Sequence, residues 1–488
     1  MIYLILLAGV LVKVPALSQP LLGYFASYQM FNAMMAEMMI RDPRQALLVP
    51  TTLMILNGPP ALQLLYYPFA SLCAAAGTMC FPGSIEFWGR TQAMLLTLAS
   101  GWAVFDLAKR YFGERIGLLA AMIFTFSPMG LISGISFQNE AAAIFILLLS
   151  FLSGGTSRAW RDFLSGGLFS VTLILRLHFI GVLPALVWAI FAQNFTWRRL
   201  LFFLLGVVIP VTAWFSFVYH VEIKSNSVLT SLFSQMGEGR FLVQNLLRSP
   251  KFYVRIFDLL MAQWVTPLLF PFLVLSCLSY HRLRLPFLLW LLGALATIVL
   301  LPQKVYDHPF YLISGLPAAS ILTACLFYDF MNRFPKKVLV LFLGFFVAVS
   351  LRYYLPPILT IPTGASKIQQ IGKHVEMMTQ PEDRIVASYG QSVELLYYCR
   401  RMGWSFDLQM ATRKMPDQKR YRDRIQKGYG DPIQWLERLR SEGARYLVIG
   451  EPEQFYQNHE FSDYVDKTYP EIAAGSDLFR MYDLTQSR

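Results

Sequence analysis

Charge is scarce in this sequence. Asp, Glu, Lys and Arg make up 15% of 488 residues, where a soluble domain carries about a quarter. The mean hydropathy is +0.46 and 55% of the residues are hydrophobic. The deficit lies in roughly the first 360 residues, a series of apolar runs close to membrane-spanning length. One apolar core of that size does not suit a water-soluble protein. Cysteine is also sparse. Of five, Cys73, Cys80, Cys277 and Cys325 lie in apolar runs and Cys399 stands alone in the tail, so neither a disulfide framework nor a metal-ligand spacing is formed. No nucleotide-binding loop, Ser-His-Asp set or His-rich metal motif occurs. The missing P-loop argues against an ATP-driven pump.

What charge there is has a pattern. The net charge of +12 comes from basic residues in short loops between apolar runs, which is an orientation signal rather than a nucleic-acid footprint. The clusters are Lys109, Arg110 and Arg115; Arg158 and Arg161; Arg198 and Arg199; Arg282 and Arg284; and Arg333, Lys336 and Lys337. The positive-inside rule places all five in the cytoplasm. The loops near 20–90, 136–140, 176–178, 221–254 and 302–308, and everything after about 355, then face outward.

The first run, Ile2 to Leu17, lacks a basic leader and is followed by many others, so it reads as an uncleaved first helix. If 61–81 also crossed, the loop at 109–115 would be forced outside. Asn57-Gly58-Pro59-Pro60, Pro68 and Phe81-Pro82-Gly83 interrupt that segment. We therefore expect it, like 24–40, to be a helix lying in the outer leaflet within a long first outer loop, 20–89. About eleven spans remain, near 2–19, 90–108, 115–135, 141–155, 162–176, 179–194, 199–220, 256–280, 285–302, 309–330 and 337–355. The expected fold is an α-helical polytopic membrane domain over 1–360, followed by a small soluble α/β domain over 361–488 on the outer face. In the tail, 383–388, 445–450 and 479–484 read as strands, and 391–400 and 431–441 as helices.

Ionisable groups at membrane depth default to a functional reading. Glu140, in Gly134-Ile-Ser-Phe-Gln-Asn-Glu140, sits at an outer mouth; its bland alternative is a helix-dipole partner. Arg176 and His178, in Leu175-Arg-Leu-His178, are placed to hold a phosphate, or Arg176 simply snorkels. Lys304, His308 and Tyr311, in Gln303-Lys-Val-Tyr-Asp-His-Pro-Phe-Tyr311, suit an anionic headgroup or a sugar, against an aromatic belt with a few charges. The first loop adds Gln29, Glu37, Asp42 and Glu86.

Taken in order, several short stretches resemble the polyprenyl-phosphate-dependent glycosyltransferases of the GT-C fold. The similarity is to the protein O-mannosyltransferase and lipid A aminoarabinose transferase type, glycosyltransferase family 39-like. They are Gly23 to Ala36; Gly89-Arg90; Lys109-Arg-Tyr-Phe-Gly113; Ser127-Pro128 through Phe137-Gln-Asn-Glu140; His308-Pro-Phe-Tyr311 with Pro317; and, in the tail, Leu396-Tyr-Tyr-Cys-Arg-Arg-Met-Gly-Trp404, Gly443-Ala-Arg-Tyr-Leu-Val448 and Tyr482-Asp-Leu484.

The resemblance implies transfer of a sugar from a polyprenyl-phosphate donor to a lipid, glycan or protein acceptor on the outer face of a plasma or inner membrane, by inverting displacement. It implies a carboxylate for the acceptor hydroxyl and cations or a divalent metal for the leaving phosphate. Glu140 would be the acid, and a metal ligand if a metal takes part. Lys304, His308 and Arg176 would meet the phosphate, and Tyr311 would line the sugar or carrier site. Membrane lipid is an expected partner and nucleic acid is not. One departure stands out: Gly23-Tyr-Phe-Ala-Ser-Tyr-Gln29 lacks the acid the family carries at the head of its first outer loop, leaving Glu37 or Asp42 as substitutes. A transporter or flippase of a lipid-linked saccharide, and an inactive scaffold, remain as alternatives.

Overall fold

A computed structural model describes residues 1–22, 26–43, 49–56, 58–154, 158–192, 194–225, 227–231, 244–279, 282–360, 364–389, 393–406, 431–473 and 478–487. Tyr24 and Phe25, the start of the helix expected at 24–40, lie outside the described residues. The chain divides into two compact units. The first holds 1–19, 65–221 and 231–360; the second holds 20–64, 222–230 and 361–488.

The first unit is helical. Two of its helices, Trp197–Lys224 and Pro309–Met331, are each long and apolar enough to cross a membrane. Pro250–Gln263 and Thr266–Leu278 pass the same test together but are bent by 104°. Thr266 begins the second arm at φ 65, a left-handed conformation that a β-branched residue adopts only under tertiary constraint. Ile2–Ala16, Phe69–Cys80, Glu140–Ser153, Leu177–Phe191 and Leu285–Leu300 are shorter apolar helices. The longest element, Ile85–Phe112, is capped by the Ser84 hydroxyl, which accepts from the Phe87 amide, and has Glu86 in its first turn. Packing is tight where small residues meet. Gly181 and Gly293 bring their backbones so close that a Cβ on either would overlap the other's carbonyl oxygen. Phe151 stacks on Trp290 with ring centres 4.3 Å apart.

Some of the basic clusters are neutralised locally. Asp162 is fully buried and accepts from Arg199 Nε at 2.6 Å and Nη2 at 3.1 Å. Arg199 also donates to the carbonyls of Asn194 and Ile190. A forked pair with its remaining donors satisfied is an interhelical clasp.

The second unit is α/β. Strands β1 (Thr51–Ile55), β2 (Pro60–Leu64), β3 (Val228–Ser231), β4 (Ile385–Ser388), β5 (Gly403–Ser405), β6 (Tyr446–Ile449) and β7 (Arg480–Asp483) form one sheet. Its order is β3-β2-β1-β5-β4-β6-β7. β4 pairs in parallel with β5 and β6, while β6–β7 and β1–β2 are antiparallel. Every residue of β4 and β6 is buried, as expected for parallel strands covered on both faces. Helices Val393–Tyr398 and Pro432–Ser441 supply cover, and Phe406 stacks on Trp435 at 4.1 Å within the unit's apolar core.

The first outer loop departs from expectation in two ways. Residues 61–64, expected in a helix over 61–81, belong instead to β2; their antiparallel partner β1 satisfies the backbone that a short, Pro-led helix would leave open. The helix actually present there is the shorter Phe69–Cys80. Ala26–Arg41 is helical as expected, but it packs on β1 and on Val393–Tyr398 within the α/β unit. Its Met face is covered by protein: Met30, Met34, Met35 and Met39 are all buried.

Candidate active site

Local breaks set up the first unit's polar cluster. Pro128 ends the helix Glu114–Phe126, and the Ser127 hydroxyl caps the following turn by accepting from the Gly130 amide at 3.1 Å. Helix Glu140–Ser153 starts after the turn 134–139. Asn139, at its N-cap, does not cap it. Its side chain reaches instead to the segment 67–70, accepting from Ala70 N and donating to Tyr67 O, both at 2.8 Å. That fixes the start of Phe69–Cys80 against the first turn bearing Glu140.

A second break presents Arg176. Helix Ala159–Leu175 stops at Arg176, which is extended (φ −153, ψ 94) before the 3₁₀ turn Leu177–Val182. The guanidinium Nη2 lies 2.6 Å from Glu140 Oε1, and its centre sits 4.2 Å over the ring of Tyr66. Glu140 and Arg176 are 2% and 5% exposed, so the pair is shielded from solvent and screened little. Glu140 Oε2, Arg176 Nε and His178 Nε2 are buried without a hydrogen-bond partner among the described residues. Buried polar atoms are normally paired, so an acceptor, a donor and an imidazole nitrogen with unused capacity point to a place that receives a polar guest.

The third wall is Pro309–Gly315, a 3₁₀ stretch held by two indoles. Trp264 Nε1 donates to Leu312 O at 3.0 Å and Trp290 Nε1 to Ser314 O at 2.6 Å. Between these anchors and His308 lies Tyr311, whose ring centre is 4.8 Å from that of His178 and 6.5 Å from that of His308. Burial, followed by the nearby Lys304 ammonium, pushes His308 down to about 4, with Asp307 opposing. Near neutral pH His308 is an uncharged imidazole. Asp307 is exposed and accepts from Gln303 Nε2 at 2.8 Å.

Glu140, Arg176, His178, His308 and Tyr311 thus form a connected set in one unit, with Lys304 beside His308. Gln29, Glu37 and Asp42 belong to the other unit. Gln29 is buried there, and Glu37 is ion-paired with Arg41 at 3.1 Å. Four contributors were not anticipated: Tyr66, Asn139, Trp264 and Trp290. Asn139 had a signal, since it adjoins Glu140 in its motif. Tyr66 had only its place in Tyr66-Tyr67-Pro68. No group of three His, Cys, Asp or Glu suited to a metal occurs among the described residues, and Glu140 is taken by Arg176. This donor set does not fit a divalent ion.

Residues 60–219, about a third of the chain, match the family of dolichyl-phosphate-mannose-protein mannosyltransferases. This stretch contains Tyr66, Glu140, Arg176 and His178. No curated protein matches the chain. Among solved structures, the chain is similar to ArnT from Cupriavidus metallidurans bound to undecaprenyl phosphate. The TM-score is 0.67 at 12% identity, covering 99% of this chain and 97% of that one. The chain has the GT-C glycosyltransferase fold. It is also similar to arabinofuranosyltransferase AftD from Mycobacteria (TM-score 0.54, 13% identity, 99% of this chain and 41% of that one). The Archaeoglobus fulgidus oligosaccharyltransferase, in complex with Zn and sulfate, is similar too, with a TM-score of 0.51 at 11% identity, covering 98% of this chain and 72% of that one. These matches cover 98–99% of this chain, so both of its units take part in them.

Proposed function

We propose that this chain is a multi-pass membrane glycosyltransferase. It moves a sugar from a polyprenyl-phosphate donor to a hydroxyl acceptor on the outer face, where its α/β unit also lies. The observation carrying this reading is the buried Glu140–Arg176 pair with unused valences on both partners, set in a GT-C fold.

In the displacement, the bond from the anomeric carbon to the phosphate oxygen breaks, and its electron pair leaves on the phosphate. The acceptor oxygen bonds to the same carbon from the opposite face, inverting it. Arg176 Nε–H is available to the departing oxygen, a donor aimed at developing negative charge. Glu140 Oε2 accepts from the acceptor hydroxyl. It orients the nucleophile first and takes the proton late, as the hydroxyl becomes acidic. The Tyr66 and Tyr311 rings offer faces to a sugar. Lys304 and neutral His308 supply a charge and a hydrogen bond to the phosphate.

The test is reconstitution in proteoliposomes with undecaprenyl-phosphate-linked sugars of several kinds and with lipid, glycan and peptide hydroxyl acceptors, reading release of undecaprenyl phosphate and labelling of the acceptor. The expected result is release by the native chain and none by Glu140→Gln. Native protein that releases nothing but carries the donor across the bilayer would establish the transport reading instead. Native protein that binds donor and neither transfers nor moves it would establish the scaffold reading.

A further inference from the structure

Lys13 is the last residue of helix Ile2–Lys13, set in an otherwise apolar run. Its neighbours one turn either way, Val10 and Leu17, pack with Met94 and Leu98 of the helix Ile85–Phe112. About 6 Å of helix separates it from Leu17, so a lysine here has the reach to send its ammonium to the membrane surface. It does not. Lys13 is 0% exposed, and Nζ has no hydrogen-bond partner among the described residues. None of the ion pairs there includes it.

The side chain lies against Gly134. A Cβ at 134 would come 2.7 Å from Lys13 Cδ and 3.3 Å from Nζ, and would overlap the methylene between them. Gly134 opens the turn 134–139 that leads into Glu140. Beside it, Ser133 and Thr97 join hydroxyls at 3.4 Å. Further along the same turn, buried Gln138 has an Nε2 with no partner among the described residues. Two donors without acceptors therefore adjoin one turn: an ammonium and an amide N–H. A buried ammonium lacking a counter-ion costs several kcal/mol, and a methionine would fill the slot without that cost. An arrangement of this kind fits an anion.

We propose that Lys13, with the donors of the turn 133–138, holds a phosphate ester carried on a membrane lipid. The proposal depends only on the apolar helices lying in a membrane, not on sugar transfer. Phosphate is favoured over other anions because the end of an outer-facing apolar helix lies at the level of lipid headgroups, and because a compact ammonium serves it as a point charge. Two lipid sources share this chemistry, a polyprenyl phosphate and a bulk phospholipid.

The experiment reads binding alone, so it stands apart from any failure of the transferase assay. Detergent-purified native protein, with no sugar donor present, is titrated with undecaprenyl phosphate, with phosphatidylglycerol and with inorganic phosphate, followed by native mass spectrometry and thermal shift. Lys13→Met should weaken lipid binding at least tenfold while the lipid-free protein melts at or above the parent's temperature. Lys13→Arg should stay within about threefold. Gly134→Ala keeps the charge but crowds its slot, and should weaken binding even if Lys13→Met fails to fold. Selectivity for undecaprenyl phosphate would identify the carrier as occupant. Equal, Lys13-dependent binding of phosphatidylglycerol would identify bulk phospholipid. Binding of every lipid indifferent to both Lys13→Met and Gly134→Ala would overturn the proposal.

Discussion

Arg176 Nη2 meets Glu140 Oε1 at 2.6 Å, with both side chains withdrawn from solvent. Removing one member leaves the other as an uncompensated buried charge, at a cost of about 3–5 kcal/mol, whereas neutralising both together is far milder. Glu140→Ala and Arg176→Ala should each lower thermal stability strongly. The double variant Glu140→Gln/Arg176→Met should melt near the native protein. All three should lose sugar transfer. A double variant as unstable as either single one would contradict the pairing.

His308 gives a pH signature. Its folded value near 4 lies below the ordinary 6.5, so between those values the unfolded chain takes up a proton that the folded chain refuses. Stability therefore rises with pH across this window, and is lost as pH falls from about 6.5 toward 4. His308→Gln has no such group, and its melting temperature should fall less steeply between pH 6.5 and 4. Parallel slopes for the two proteins would show that His308 is not held neutral by its surroundings.

The two indole donors can be removed with little change of shape. Trp264→Phe or Trp290→Phe leaves the Leu312 or the Ser314 carbonyl without its donor, a loss of about 1–3 kcal/mol for a buried acceptor. Because these bonds fix the stretch bearing Tyr311, turnover should fall more than donor affinity. Stability unchanged in both variants would mean that the carbonyls find other partners.

The glycine contact can be tested by adding a single methyl. Gly181→Ala or Gly293→Ala forces backbone apart, an overpacking penalty of about 1–3 kcal/mol. Gly181 lies in the same 3₁₀ turn as His178, so its variant should also reduce transfer. Gly344→Ala, where a Cβ meets nothing within 4 Å, should be silent and serves as control.

What was legible in the sequence was what chemistry writes locally. Glu140, His308 and Tyr311 stood out because they sit in recognisable short motifs, and Arg176 because charge is rare beside apolar runs. The tail's strands were readable from their apolar runs between turn residues: 385–388, 446–449 and 480–483 formed where expected. β2 was not readable. Ala-Leu-Gln-Leu-Leu after two prolines is too short for periodicity to separate strand from helix, and what decides it is a partner, β1, supplied from across a turn. Tyr66 was hidden because its role comes from a guanidinium more than a hundred positions along the chain. Lys13 was hidden by its setting, where one charge barely lowers the hydropathy of a long run. That the Ala26–Arg41 helix packs on protein rather than lipid follows from a sheet no local signal announces.

That sheet also imposes a timetable. β1 is made early, yet Met54 pairs with Gly403 of β5, and β2 takes its other neighbour from residues near 228. During synthesis the β1–β2 hairpin waits with one edge of β1 open until β5, at 403–405, has emerged. Unpaired edges invite wrong partners, so the interval is a window in which the nascent protein needs a chaperone or a sheltering surface. A stop codon before residue 383 would delete a C-terminal domain and also strand a hairpin made some three hundred residues earlier, so such truncations should be cleared by proteases rather than persist as a membrane-embedded remnant.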